Sequence, residues 1–204
     1  MNWKILLIGV LVCGTASVSK SQGFLPPETT STTTTPSTGS PEVMRIGSWF
    51  PKTYMVTNMD GQQRSLISYK SALDVMVILF LSPNCDAKQQ HWPLIKHLYE
   101  DYNGWHVAFV AINTGDPASS GTLAEQLKKN KMGKVPLLQD DDHAVTKAFA
   151  ISGAPEFAML DESAVLQYRG PPGKYARSAL VAMIGHTSKV PNPEPVEILG
   201  CPVP

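Results

Sequence analysis

Cysteine is scarce in this 204-residue chain: Cys13, Cys85 and Cys201 are all it holds. That excludes a disulfide-dense scaffold and a thiolate-rich zinc site, both of which need several cysteines at short spacing. No Cys-x-x-Cys pair exists either, because the residue three after Cys85 is Lys88. Charge is sparse as well. Only 17% of residues are charged, and 17 basic side chains meet 17 acidic ones for a net charge of zero. A chain so balanced offers neither a basic face for nucleic acid nor a polybasic run for anionic membrane. Long apolar runs are also missing: the one from Ile5 to Cys13 falls far short of the roughly 20 residues a membrane-spanning helix needs. No internal repeat is visible.

What is present at the N-terminus is an order of features. Lys4 precedes the short apolar run, and the small and polar residues Gly14-Thr-Ala-Ser-Val-Ser follow it. This is the pattern of a secretory signal, expected to span residues 1–19 with cleavage after Ala16 or Ser19, and it predicts a secreted or periplasmic protein. Bulky Val12 before Cys13 argues against a lipoprotein, so Cys13 is expected to leave with the signal. Residues 20–42 follow as a linker. From Leu25 to Glu42 they are almost wholly Thr, Ser, Pro and Gly, a composition that cannot bury enough apolar surface to fold. Residues 43–188 match one domain by length, and 189–204 form a proline-rich tail.

Along the domain, strand and helix patterns alternate. Tyr54–Thr57 and Arg64–Ile67 flank the turn pair Asp60-Gly61 and predict a hairpin. Val75–Leu81 is a continuous apolar run of the kind buried on both faces of a parallel sheet. Asp86–Tyr102 places Leu94, Ile95, Leu98 and Tyr99 at helical spacing. A strand over Val107–Ile112, a helix over Gly121–Lys131, a short strand at Leu137–Leu138 and a helix over His143–Phe149 come next. Phe157–Leu160 and Val165–Tyr168 form a closing hairpin around Asp161-Glu162, and Ala176–Ile184 a last amphipathic helix. Asp140-Asp141-Asp142 lacks the spacing of a cation loop and predicts a helix cap. Trp49, Trp92, Trp105, Met76 and Met159 are expected in the core or at its edge. His91 and His97 lie six apart, off the i, i+4 spacing of a shared ligand face, and are expected to be surface or packing residues. No metal site and no cofactor are expected.

Cys85 is the position that speaks of chemistry. It stands between a buried strand and a helix, where a thiolate meets the unpaired N–H groups of the first helical turn. The series Val75–Leu81, Cys85, Pro93, Tyr102 resembles the first strand and active-site helix of thioredoxin-like proteins. Ile151-Ser-Gly-Ala-Pro155 resembles the loop whose cis-proline faces that cysteine, and the hairpin ending in Gly170 continues the likeness. Ile46-Gly47-Ser48-Trp49-Phe50-Pro51 with the Asp60-Gly61 hairpin is similar to the N-terminal extension of the redoxin branch. That branch holds the AhpC/TSA (peroxiredoxin-like) relatives and the extracytoplasmic thiol–disulfide oxidoreductases. Leu199-Gly-Cys-Pro-Val resembles the ending of some secreted redoxins. The resemblance covers roughly residues 46–170. It implies an α/β, three-layer thioredoxin-like fold, a central mixed sheet flanked by helices, with an N-terminal hairpin extension.

Departures from the family pattern narrow the chemistry. Lys88 in place of a second cysteine removes release of a mixed disulfide within the helix. Leu79 stands where many thioredoxins carry a buried carboxylate, six residues before the cysteine. Of the peroxiredoxin pattern, Ser82 keeps a hydroxyl, but Ile78 replaces the proline and Pro155 falls near the place of the arginine, with Arg169 the only nearby substitute. The resemblance therefore implies Cys85 as nucleophile, Pro155 and Ala154 as substrate-facing backbone, and Ser82 and Lys88 as auxiliary groups.

After signal removal Cys201 is the one other thiol, 116 residues from Cys85. Three pairings stay open: a permanent bond to Cys85, a reversible one in which Cys201 resolves what Cys85 attacks, or a bond to another molecule. The expected function is thiol–disulfide exchange or thiol-dependent antioxidant reduction, with protein or small-molecule thiols and disulfides as partners. The alternative is a redox-silent binding or scaffold domain. Oligomeric state does not follow from the sequence.

Overall fold

The structure, a computed structural model, describes residues 43–72, 74–85, 87–186 and 201–203, and for residues 87–89 the backbone only. The expected signal segment, the linker and residues 189–200 of the tail lie outside the described residues.

The centre is β3, Val75–Leu81, in which all seven side chains are buried. Side chains alternate across a strand, so its apolar run supplies two cores at once. Val75, Val77, Leu79 and Leu81 face one cluster with Ile95, Leu98, Tyr99 and Leu180. Met76, Ile78 and Phe80 face the other, with Phe50, Leu66, Val110 and Phe149. Around β3 lie β1 (Met55–Asn58), β2 (Gln63–Ser65), β4 (Val107–Asn113), β5 (Leu137–Gln139), β7 (Glu156–Leu160) and β8 (Leu166–Gly170), in the order β2-β1-β5-β4-β3-β7-β8. The pairs β3–β4 and β4–β5 are parallel, and β1–β2, β1–β5, β3–β7 and β7–β8 antiparallel, which makes the sheet mixed. Two further residues, β6 (Gly153–Ala154), pair outside this sheet with β9 (Cys201–Pro202).

Helices α1 (Ala87–Tyr102), α2 (Ser120–Lys129), α3 (Ala144–Ala148) and α4 (Lys174–Ile184), with short 3-10 helices at Leu66–Tyr69, where the expected strand Arg64–Ile67 stops early, and at Pro117–Ser119, complete the order. Helix α1 buries Trp92, Ile95, Leu98 and Tyr99, while Pro93 in its interior is exposed. Its apolar stripe is narrower than the spacing predicts, because Leu94 turns outward and is 46% exposed. Two tryptophans also depart from expectation. Trp92 is buried, but Trp49 and Trp105 are 55% and 66% exposed. Trp49 sits on an isolated bridge to Val165, and Trp105 in the turn between α1 and β4, where neither has a second layer to cover it among the described residues.

Asp140 caps α3 as the acidic run suggests: its carboxylate accepts from the backbone N–H groups of Val145 at 3.2 Å and Thr146 at 2.7 Å. At the ends of β3 and β4 a second polar cluster holds the loops in place. The Asn113 amide donates to Gln139 Oε1 at 2.9 Å and to Ser120 Oγ at 3.0 Å. Thr114 donates both its backbone N–H and its hydroxyl to the Leu81 carbonyl, at 2.8 and 3.1 Å. This fixes where β3 stops and where the chain turns through Ser82-Pro83-Asn84 to Cys85.

Candidate functional site

Cys85 lies two residues before α1 and is fully buried. A cis peptide joins Ala154 to Pro155, and the Ala154 carbonyl oxygen stands 3.2 Å from Cys85 Sγ. Residues from opposite ends of the domain are thus in contact: the turn after β3 and the segment that leads into β7. The reason is topological. β3 and β7 are antiparallel neighbours with Phe80 opposite Glu156, so the residue after β3 and the residue before β7 emerge at the same end of the sheet.

The tail closes the site. Cys201 is disulfide-bonded to Cys85, with an S–S distance of 2.10 Å and Cα atoms 5.5 Å apart, inside the usual range for a bridge. Of the three pairings open from the sequence, two lie within the chain, and the structure has the bond that both of them share. The bond is reinforced by backbone pairing, Ala154 opposite Cys201 and Gly153 opposite Pro202, and the Val203 N–H donates to the Ser152 carbonyl at 3.4 Å. In the disulfide the Cys85 sulfur carries no proton, so its contact with the Ala154 oxygen is a close approach. In the thiol form the same oxygen is an acceptor for S–H.

Ser82 is half-buried on the turn, and the side chain of Lys88 lies outside the described residues. Arg169 Nη1 donates to the Phe149 carbonyl at 2.8 Å, on the face of the sheet that holds Phe80.

A feature unnoticed in the sequence is Glu156, which follows the cis-proline and is only 5% exposed. It faces Phe80, and Arg169, opposite Ala158, is its diagonal neighbour on the same face. Burial raises the Glu156 carboxyl to about 7, against the attraction of Arg169 and the backbone N–H groups of Ser152 and Gly153, which pull it down. Its Oε2 has no hydrogen-bond partner among the described residues. Burial, and then the nearby Glu156 charge, push the Tyr168 phenol upward. The signal for Glu156 was present as a lone acidic residue in the apolar stretch Pro-Glu-Phe-Ala-Met-Leu. Glu156 does not take the place of the carboxylate that Leu79 lacks: it stands opposite Phe80, on the other face of the sheet from Leu79. Elsewhere, a cleft between α1 and α4 is lined by Leu94, His97, Phe157, Lys174 and Arg177, and Arg177 there pairs with Asp101. None of the residues around Cys85 lines it. Among the described residues no group of three or more metal-ligating side chains is assembled, and no helix is long and apolar enough to cross a membrane.

No curated protein matches the chain. Solved structures do. An uncharacterized conserved protein from Geobacillus kaustophilus is 27% identical with a TM-score of 0.60, over 79% of this chain and 92% of that one. A hypothetical protein from Sinorhizobium meliloti 1021 is 22% identical with a TM-score of 0.58, over 81% and 95%. A putative thiol:disulfide interchange protein DsbE from Chlorobium tepidum is 17% identical with a TM-score of 0.54, over 70% and 97%. The fold these share is thioredoxin-like, as the order of strand, cysteine, helix and cis-proline implies. The family model of the AhpC/TSA family matches residues 46–170, from the first turns of the domain to the end of β8, and the chain belongs to that family.

Proposed function

We propose that the chain is a secreted or periplasmic thiol oxidoreductase in which Cys85 exchanges thiols and disulfides with external partners and Cys201 resolves the product. The observation that carries this reading is the Cys85–Cys201 bond at the junction of β3, α1 and the cis-proline segment. Starting from the reduced chain, the Cys85 thiolate attacks one sulfur of a substrate disulfide. A Cys85–substrate bond forms and the substrate's second sulfur leaves as thiolate. The Cys201 thiolate then attacks Cys85 Sγ, forming the internal disulfide and expelling the first substrate sulfur. The substrate gains two electrons and the chain loses two; an external dithiol returns them. Run backwards, the same steps oxidise a substrate dithiol.

Lys88 leaves no partner thiol inside the helix, so the tail supplies the second one. Peroxide reduction is the weaker reading, since Ile78 and Pro155 stand where the peroxidase pattern has its proline and its arginine, the group that would stabilise charge on a leaving oxygen. Complete burial of Cys85 favours a second reading, in which the disulfide is permanent and the domain is a redox-silent scaffold.

The two readings part on a Cys201→Ser variant, prepared reduced and mixed with oxidised glutathione. Exchange predicts a glutathione adduct on Cys85 that persists in the variant, whereas the wild type passes through it to the internal disulfide. Equal adduct lifetimes in both would remove Cys201 from the mechanism.

A further inference from the structure

Helices α1 and α4 pack on the same face of the sheet, α1 through Ile95 and Leu98 and α4 through Ala179 and Leu180. Between them opens a cleft of about 220 Å³. Its floor is buried Leu98 and Phe157, and exposed Leu94 stands at its mouth. Leu94 precedes Leu98 by one helical turn, so the two are neighbours on α1 and carry the apolar floor out to the surface. The rim bears the imidazole of His97 and the cations of Lys174 and Arg177, and no carboxylate lines the cleft among the described residues. Arg177 pairs with Asp101 and lies over the Tyr102 ring, 5.4 Å from its centre. Lys174 stands over the Tyr175 ring at 4.9 Å and has no ion pair among the described residues. In a chain with 17 basic and 17 acidic residues this is a local excess of one sign. An apolar floor inside a polar rim is the layout of a protein-docking surface.

Size and charge select the occupant. The cleft is smaller than the roughly 300–1,000 Å³ of sites for drug-sized ligands, and suits one or two aliphatic side chains of a larger partner. In a two-fold contact a second copy of the chain would bring the same cations together, so charge complementarity selects a partner of opposite sign. We propose that the α1–α4 cleft is a docking site for an acidic, leucine-bearing segment of a partner protein. The leucine enters between Leu94 and Phe157, and carboxylates on either side of it meet Lys174 and Arg177. None of the residues around Cys85 lines the cleft, so docking is independent of the thiol chemistry. It holds the partner about 10 Å along α1 from the end at Cys85, at 1.5 Å per helical residue.

The test titrates the oxidised, nitrogen-15-labelled full chain with the capped peptide Glu-Asp-Leu-Glu-Asp and follows backbone amide shifts by NMR. Saturable shifts are expected at residues 94–98 and 173–177. Replacing the peptide's leucine by serine is expected to weaken binding about tenfold, the weight of one buried aliphatic side chain. The uncharged peptide Gln-Asn-Leu-Gln-Asn is expected to bind about fivefold more weakly. Lys174→Glu, at the exposed start of α4 where an acidic residue is well tolerated, is expected to weaken the parent peptide by a similar factor. Lys134→Glu makes the same charge change in the loop before β5, outside the cleft, and is expected to leave binding unchanged. No saturable shift, shifts scattered over other basic residues, or equal loss in the two variants would overturn the proposal. Two results without peptide would overturn it by naming another occupant. Cleft shifts that grow with protein concentration would indicate a second copy. Cleft shifts produced by the double change Glu194→Gln and Glu197→Gln would indicate the chain's own acidic residues. The peptide substitutions leave the protein untouched, so the outcome does not depend on any variant folding.

Discussion

Replacing Glu156 by Gln is the sharpest probe of the polar group buried under the site. The ordinary carboxyl value is 4.5, and burial in the folded chain raises it to about 7. Between those values the folded state binds a proton that the unfolded state has released, so stability falls as pH rises across this window. The favourable state is fully present below about 4.5 and is lost once pH passes about 7. A difference of about 2.5 units at 1.36 kcal/mol each gives about 3 kcal/mol. Glutamine keeps the size and does not titrate. Its effects on Arg169 and on the recess around Oε2 add an offset of their own, but none that follows the Glu156 proton. Denaturant unfolding of the oxidised wild type and of Glu156→Gln, at constant ionic strength, isolates the term as the difference between the two proteins, in which other titrating groups cancel. Relative to wild type, the variant should gain about 3 kcal/mol on going from pH 4 to pH 8. A difference that stays flat across that range would mean that Glu156 titrates alike in the folded and the unfolded chain, and the burial argument would fail.

Two further outcomes follow from the geometry. A methyl at Gly115 would lie 2.8 Å from Pro83 Cδ and 3.2 Å from Cγ, and the proline ring cannot bend away. Gly115→Ala should therefore cost about 1–3 kcal/mol, as overpacking does, and should slow thiol labelling at Cys85 by displacing the turn that carries it; unchanged stability would show that the turn yields freely. Loss of the Cys85–Cys201 bond in Cys201→Ser opens a loop of 116 residues, which the chain-entropy model values at about 4–5 kcal/mol. Unfolding of the variant beside the oxidised wild type measures it, and a loss under about 1 kcal/mol would mean that the unfolded chain is already compact.

The fold was legible because its strongest signals are periodic. The seven apolar residues of β3 fill both faces of the sheet, and Val107–Asn113 repeats the pattern beside it. Element boundaries moved by a residue or two, since ends depend on partners: β8 runs to Gly170 because Phe157 pairs with it. Cys85 and Pro155 came into view through the resemblance to thioredoxin-like proteins, which the order and spacing of the motifs carried, and the structure brings the cis Ala154–Pro155 segment against Cys85. Three things were hidden. Glu156 reads as an ordinary strand residue until Phe80 is known to stand opposite. The pairing of the tail with Gly153–Ala154 joins segments nearly fifty residues apart, which periodicity does not reach. The exposure of Trp49 and Trp105 reflects which neighbours are missing, and no pattern in the flanking residues encodes that.

The central claim is that Cys85 is a reactive thiol and not a buried apolar filler. The most direct measurement is the rate of iodoacetamide alkylation at Cys85 in the reduced, folded wild type near pH 6, compared with the same chain unfolded in denaturant and with Cys201 quantified separately by peptide mapping. A thiol at the start of α1 is favoured as thiolate by the unpaired N–H groups there. The account predicts faster labelling at Cys85 in the folded chain than in the unfolded one, by a modest factor because nucleophilicity falls with pKa. A Cys85 that resists alkylation until the chain is unfolded would contradict it.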